Sequence, residues 1–363
     1  MKGVIKFLWF LYKCFAFYTL IIYILILWIP FGGWLAGFMM MSFPVVIMMH
    51  MISLPVWLIA DARKAFLPLI MLLAGSIFLP RSYAFGHNKA DVAENEKTFK
   101  VMNYNTHVFQ RDSDIKLPYV KRHIREMKAW VSNSEADILC MPEYYDNSTN
   151  LFSVNDALRK KGYQYYVFYN KARKQQNKAY SGLAVFSKFP IIASRDTIFE
   201  AQNGMIQTDI KIKSDTVRII ALHLYSMTLQ LGNLVSQKEM EGVKKESKTT
   251  LRQMKRGFTR RSMEVKALES WVKASPYPII VCGDFNEVPY GYVYGRMRKL
   301  LNNSFEEKGN GFGFTFNHLP YFIRIDHQFY SSDKLQLADF TTFDEIKHSD
   351  HYPVMGEYAV VKK

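Results

Sequence analysis

The sequence predicts a mixed α/β domain, two sheets packed face to face with helices outside, behind a hydrophobic helical region. Three observations carry that prediction. Short apolar runs end repeatedly in acid, amide or imidazole side chains. Stretches with helical apolar spacing fall between these runs. The first 80 residues are almost free of charge.

The chain has 363 residues, enough for one large domain and a membrane segment. Residues 1–80 hold five basic side chains (Lys2, Lys6, Lys13, Arg63, Lys64) and one acid, Asp61. Their apolar stretch is far longer than the roughly 7–15-residue core of a signal peptide. Phe15–Pro30, possible from Phe7 onward, reads as one span, and Phe31-Gly32-Gly33 as a turn. Trp34–Ala60 is a second span, with Pro44 and Pro55 tolerated as kinks. Asp61–Lys64 breaks the run, and Ala65–Leu79 is a third segment, shorter than the usual ~20 residues. Lys2, Lys6, Lys13, Arg63 and Lys64 assign the N-terminus and the second short loop to the cytoplasm. Three spans then put the following domain on the extracytoplasmic side of a multi-pass membrane protein. Arg81 opposes this, and an interfacial third segment would leave the domain in the cytoplasm.

Arg81–Thr98 is polar and reads as a linker, so the division is 1–80, 81–98 and 99–363. Residues 81–363 carry 42 basic and 31 acidic side chains, a bias toward anionic partners. Of three cysteines, Cys14 lies in the hydrophobic region, while Cys140 and Cys282 lie in apolar runs and read as small fillers. No disulfide framework exists, so cysteine usage does not fix the compartment.

Within the domain, Val120, Ile124, Met127, Trp130 and Val131 have helical spacing over Pro118–Val131, and Val154–Lys160 is a second short helix. Asp137–Met141, Tyr163–Phe168, Leu183–Phe186, Thr208–Ile212, Val217–Leu222 and Ile279–Cys282 read as strands. Met227–Arg261 lacks a strong β signal and is rich in Lys, Arg, Glu and Gln. Its part Lys238–Arg261 holds nine basic residues against Glu239, Glu241 and Glu246. It reads as a solvated helical insertion, with a basic flap gripping phosphates or anionic lipid as the functional alternative. Ser262–Lys273 reads as a separate amphipathic helix facing Val265, Leu268, Trp271 and Val272 to the core.

The chemistry sits where apolar runs end. After Ile279–Cys282 come Gly283, Asp284 and Asn286, and extended geometry would put the last two on one side, a hard-oxygen pair of the kind Mg²⁺ or Mn²⁺ prefers. Glu143 follows Ile138–Cys140, Asn105 follows Phe99–Met102, and His223 follows Val217–Leu222. Asp326 precedes Gln328–Tyr330, and Asp350-His351 lie near the C-terminus.

Taken in order, Tyr104-Asn105, Pro142-Glu143, Ser181–Ser187, Leu222-His223-Leu224, Gly283-Asp284-Phe285-Asn286, Arg324-Ile325-Asp326-His327 and Ser349-Asp350-His351 resemble the endonuclease/exonuclease/phosphatase superfamily. No single motif is specific; seven in order are. The resemblance covers about Lys100–Val360 and implies a four-layer α/β sandwich that hydrolyses phosphoesters with Mg²⁺ or Mn²⁺. It implies Glu143 as principal metal ligand, assisted by Asn105 and Asp350. It implies Asp284 orienting or deprotonating the attacking water and Asn286 hydrogen-bonding the phosphate. His351 would act as base or hold the phosphate as imidazolium, oriented by Asp326. His223 matches the branch with deoxyribonucleases and sphingomyelinases and would stabilise phosphate or protonate the leaving oxygen. Ser181 and Gly182 could let backbone approach a phosphate, although Gly182 reads equally as a strand-start glycine. The departure is His327, where tyrosine is commoner. His107, His123, His318, His327 and His348 read as structural.

The expected partners are the lipid bilayer and a phosphodiester, either nucleic acid, favoured by the basic surface, or a phospholipid or sphingolipid headgroup, favoured by the anchor and His223. No obligate protein partner is implied. The rival expectation is a non-catalytic membrane protein binding phosphorylated ligands; it predicts missing catalytic residues, and none is missing.

Overall fold

The structure, a computed structural model, describes residues 2–86, 98–169, 179–227, 229, 231–237 and 239–361. The chain begins with α1 (Lys2–Trp28), α2 (Trp34–Met41), α3 (Phe43–Ala60), α4 (Phe66–Gly75) and α5 (Leu79–Ser82). There follow β1 (Ala84–Phe85), β2 (Phe99–Asn103), α6 (Pro118–Asn133), β3 (Ile138–Asp146), α7 (Val154–Lys160), β4 (Tyr165–Phe168), β5 (Tyr180–Ser187), β6 (Ile191–Glu200), β7 (Asn203–Ile212) and β8 (Asp215–His223). The second half holds α8 (Leu231–Val235), α9 (Met240–Lys273), β9 (Ile279–Asp284), α10 (Tyr292–Arg298), β10 (Asn302–Asn303), α11 (Ser304–Lys308), β11 (Asn310–Gly311), β12 (Asp326–Tyr330), β13 (Leu335–Thr342) and β14 (Val354–Val360).

Two six-stranded sheets form, in the orders β10-β12-β9-β8-β7-β6 and β13-β14-β2-β3-β5-β4. The pairs β2/β3 and β8/β9 are parallel. The continuous apolar runs follow from burial of both faces of each sheet. In β9, Ile280 and Cys282 point between the sheets, where they meet Val101, Ile138, Cys140 and Val185. Ile279 and Val281 point outward, under Val265 and Leu268 of α9 and Val293 and Met297 of α10. On the other outer face Leu139 and Met141 lie under Ile124, Met127 and Val131 of α6. The layers are therefore helix, sheet, sheet, helix, and each such buried aliphatic side chain contributes about 1.5–3 kcal/mol. Cys140 and Cys282 are free and buried, as expected for fillers, and burial holds the Cys140 thiol well above its ordinary pKa.

Gly3–Trp28 and Trp34–Ala60 are long and apolar enough to cross a membrane, and Phe66–Ser82 is a shorter apolar helix. The second stretch is broken into α2 and α3 at Ser42, just before Pro44, which lacks the N–H an interior position needs. Pro55 stays inside α3. The bundle rests on the domain: its cluster of Ile22, Tyr23, Met40, Phe43 and Phe78 takes in Tyr290 and Tyr292. Within the expected linker, Ala84–Phe85 pair with Asn310–Gly311; residues 87–97 lie outside the described residues.

Two further differences from the sequence reading have clear causes. No break separates an insertion from a helix at Ser262, because α9 is continuous from Met240 to Lys273. Its buried stripe begins at Phe258 and runs through Arg261, Val265, Leu268 and Val272, with Arg261 occupying an apolar position because buried Glu287 pairs with it at 2.6 Å. Lys238 lies outside the described residues. Strand β6 went unread because it is a largely exposed edge strand without clean alternation.

Candidate active site

Register gathers the polar strand ends. His223 and Asp326 both stand opposite Asp284, one across the parallel β8/β9 pair and one across the antiparallel β12/β9 pair. Gly283 makes this approach feasible: its φ is +141°, and a Cβ there would lie 2.1 Å from the Leu222 carbonyl oxygen. The other sheet supplies Glu143 from a β-bulge in β3, where its φ of +50° turns the side chain out of the strand alternation. Asn105 lies two residues past β2, and Asp350 and His351 lie just before β14, which pairs with β2.

The side chains interlock. Asn105 Nδ2 donates to Asp284 Oδ2 at 3.0 Å and to Glu143 Oε1 at 3.3 Å. His351 Nδ1 lies 2.7 Å from Asp326 Oδ2, and its Nε2 is 3.7 Å from Asp284 Oδ2. His223 Nε2 is 3.7 Å from both Glu143 Oε1 and Asp284 Oδ2. Asn286 N–H donates to Asp284 Oδ1 at 2.8 Å, and its Nδ2 donates to the Leu224 carbonyl at 3.1 Å. Ser349 Oγ donates to the Asn105 carbonyl at 2.8 Å, tying the two loops together. The Asp326 backbone N–H donates to Thr315 Oγ1 at 3.1 Å. Thr315 has no sequence signal that would have singled it out, whereas Ser349 opens the Ser349-Asp350-His351 motif.

His107, read as structural, instead faces the acids: its Nδ1 is 3.2 Å from Asp350 Oδ2 and 3.8 Å from Glu143 Oε2. It opens a run of four non-glycine residues, His107 to Gln110, with φ between +43° and +55°. Left-handed backbone costs roughly 1–2 kcal/mol per residue. Buried Val108 and Phe109, and a hydrogen bond from Gln110 Nε2 to the His348 carbonyl (2.9 Å), hold it in place. Strain of this sort collects at functional sites. Its proximity to Asn105 was the available signal.

Electrostatics follow from burial against charge. Burial opposes the charge on His351, but the carboxylates of Asp326 and Asp284 outweigh it and leave the pKa well above its ordinary value. Burial would also raise Asp350, yet the hydrogen bond from His107 and the charge on His351 hold it well below the usual carboxylate range. The Asp350 bond raises His107 in turn.

The carboxylates of Glu143 and Asp350 converge on His107 Nδ1, while Asn105 turns Nδ2 to Glu143 and accepts the His107 backbone N–H on Oδ1. Asp284, Asp326 and His351 form a buried group with ligand atoms within 4.8 Å of one another. Both ring nitrogens of buried His223 lack a hydrogen-bond partner among the described residues, as does Asp326 Oδ1. Buried polar atoms left so imply a further group in the cleft. The residues present thus fit a cation with phosphate beside it. Ser181 and Gly182 of β5 stand opposite Tyr145 and Tyr144 of β3, beside the bulge that presents Glu143. Ser181 Oγ accepts from Gln202 Nε2 at 3.3 Å, and a side chain at 182 would meet the Tyr180 hydroxyl at 3.0 Å.

His327 keeps its expected structural place. Its Nε2 donates to the Glu287 carbonyl at 2.8 Å, with the ring against Tyr294 and Phe285. Burial lowers its pKa to about 3 from 6.5. The unfolded chain therefore binds a proton here that the folded chain refuses. Stability contributed at neutral pH is lost as pH falls below about 6.5 toward 3, by up to about 1.4 kcal/mol per pH unit. A His327→Tyr variant is expected to flatten this acid limb in thermal unfolding of the detergent-solubilised chain. An unchanged slope would assign the limb to other groups.

The structure is thus a four-layer α/β sandwich with acids and histidines gathered at one end of its strands. The endonuclease/exonuclease/phosphatase family model matches residues 102–351, and the chain belongs to that family. Residues 5–82 match a domain of unknown function. No curated protein matches. Among solved structures, an endonuclease/exonuclease/phosphatase family protein from Bacteroides thetaiotaomicron is 18% identical with a TM-score of 0.51, over 74% of this chain and 100% of that one. The catalytic domain of human nocturnin, with bound sulfate, is 17% identical with a TM-score of 0.47, over 73% and 95%. Members of the family are generally phosphoester hydrolases.

Proposed function

We propose that the chain is a membrane-anchored, Mg²⁺- or Mn²⁺-dependent phosphodiesterase whose domain faces the extracytoplasmic side. The Asp326–His351 pair beside Asp284, His223 and Glu143 carries this reading. Glu143, Asp350 and Asn105 would hold the cation, because in the inner group His351 Nδ1 is already engaged by Asp326. The bound cation would supply Lewis-acid polarisation of the phosphoryl oxygen. Asp326 keeps the proton on His351, whose Nε2 then donates to a phosphoryl oxygen. Asp284 Oδ2, within 3.7 Å of both His351 and His223, orients the attacking water and takes its proton. Asn286 steadies the phosphate, and His223 protonates the departing oxygen. His107 Nδ1 lies between Asp350 and Glu143, two of the residues that would hold the cation.

Anchoring and side are supported by how the helices meet the domain. The C-terminal ends of α1 and α5 touch it: Lys299 Nζ donates to the Trp28 carbonyl at 2.5 Å, and Ser82 Oγ and Tyr290 OH lie 2.8 Å apart. At the opposite end Lys64 lies over the Trp9 and Trp57 rings. Trp9 and Trp28 are separated by about 28 Å of helix, matching a hydrocarbon core of ~30 Å between two aromatic belts. Lys6, Arg63 and Lys64 lie toward the far end, the cytoplasmic one by charge. Between the substrate classes, a lipid headgroup is favoured. Tyr290, four residues past Asn286, packs against Phe43 of the bundle with ring centres 4.6 Å apart and planes tilted by 37°.

One assay tests activity and side together. Bis-p-nitrophenyl phosphate, too charged to cross a membrane, is expected to be hydrolysed by intact cells expressing the chain and by the detergent-solubilised chain, in both cases with Mg²⁺ or Mn²⁺ and not with EDTA. Turnover in detergent alone would reverse the topology. No metal-dependent turnover in either would leave a non-catalytic phosphate-binding protein.

A further inference from the structure

Helix α9 does more than cover a sheet. Its C-terminal third packs on the sandwich through Val265, Leu268 and Val272. Its middle touches the hydrophobic bundle at three places. Lys255 Nζ lies 4.6 Å from the centre of the Trp34 ring, at the start of the second apolar stretch. Phe258 meets the Phe38 ring edge-on at 5.3 Å, and its own ring fills the space above Gly37, where a Cβ would come within 2.3 Å. Ser262 lies against Gly32, where a Cβ would be 2.7 Å from its side chain.

Those contacts fix which face of α9 looks toward the hydrophobic bundle. Positions three, four, seven and eight residues apart share a helix face. Counting back from Lys255, the same face carries Arg252, Leu251, Lys248 and Lys244, all exposed, with Lys245 beside them. The arginines turned elsewhere are already paired: Arg256 and Arg260 with Glu200, at 2.7 and 3.7 Å, and Arg261 with Glu287. No described ion pair engages Lys244, Lys245, Lys248 or Arg252. A basic stripe with one exposed leucine thus continues, in line, from the point where α9 touches Trp34.

We infer that the N-terminal half of α9 lies on the headgroup layer of the leaflet that holds Trp34, with Lys244, Lys245, Lys248 and Arg252 binding anionic phospholipid. This deepens the proposed function and rests on its membrane reading. The surface would gather anionic lipid beside a site whose loops α9 also holds, through Arg261 to Glu287 and Tyr225 O. Such a stripe beside a membrane span is the arrangement that draws a segment to anionic lipid, and it weakens as salt shortens electrostatic range.

The test uses the full chain in nanodiscs, followed by amide hydrogen exchange over Met240–Arg256. Discs of phosphatidylcholine alone are compared with discs containing phosphatidylglycerol. Exchange is expected to slow by about tenfold or more in the anionic discs. The protection should disappear in about 1 M NaCl, where the Debye length is ~3 Å. It should also disappear in the Lys244→Gln/Lys245→Gln/Lys248→Gln/Arg252→Gln variant, whose small-substrate turnover stays at the wild-type level. Equal exchange in the two discs would overturn the α9 assignment and leave the anchoring intact. Release of the chain from discs by alkaline carbonate would overturn both. Protection by a single-stranded oligonucleotide, and not by anionic discs, would overturn it in favour of a nucleic-acid surface.

Discussion

Glu143→Gln is expected to remove turnover while leaving the fold in place. The substitution deletes a charge and keeps the volume. The bulge that presents residue 143 is held by backbone pairing, and Asn105 Nδ2 can still donate to an amide oxygen. What changes is the affinity for a cation. Even residues that only support metal ligands cost about 10–100-fold when altered, so loss of the principal carboxylate should exceed that range. Calorimetric titration with Mn²⁺ should show the weakened binding directly, and thermal unfolding without metal should match wild type. Wild-type turnover at limiting Mg²⁺ would sink the assignment of Glu143.

The second large effect concerns the buried pair. His351→Ala should lower turnover by about 10²–10⁴-fold, the range of a positioned proton-transfer group. Asp326→Asn should cost less, because the imidazole remains but is poorly oriented and less readily charged. The double variant should be little worse than His351→Ala, since groups acting as one unit are not additive. Asp326 is buried, and removing its partner leaves a carboxylate without a counter-charge. His351→Gln, which keeps a donor, therefore accompanies the series, with circular dichroism confirming that each variant is folded. Fully additive losses would show that the two side chains do not act as a pair.

The reach of sequence reading here follows physical lines. Asn105, Glu143, His223, Asp284, Asp326 and His351 could be picked out because each follows or precedes a run apolar enough to be a strand buried on both faces, and the structure gathers them at one end of the sheets. Ser181 and Gly182 share the strand-start pattern, and the packing of Tyr169 on Gly182 is a tertiary contact that no local pattern reveals. His107 was hidden because a left-handed run of ordinary residues is set by tertiary contacts. The continuity of α9 was hidden by Arg261, a charge in an apolar position that only Glu287 explains. The break at Ser42 hinged on whether Pro44 would bend a helix or end one, which propensity does not settle.

The last strand has a consequence for how the protein is made. β14 lies in the interior of its sheet, between β13 and β2, so the first and last strands of the domain proper are neighbours. His351 enters just ahead of β14, and Asn105 just after β2. Nothing assembled from the first three hundred residues can hold the complete site. Pairings this distant in sequence form late, after the ends of the domain have met. On the ribosome the N-terminal helices emerge first, and the candidate site is assembled only when the last residues of the domain have arrived.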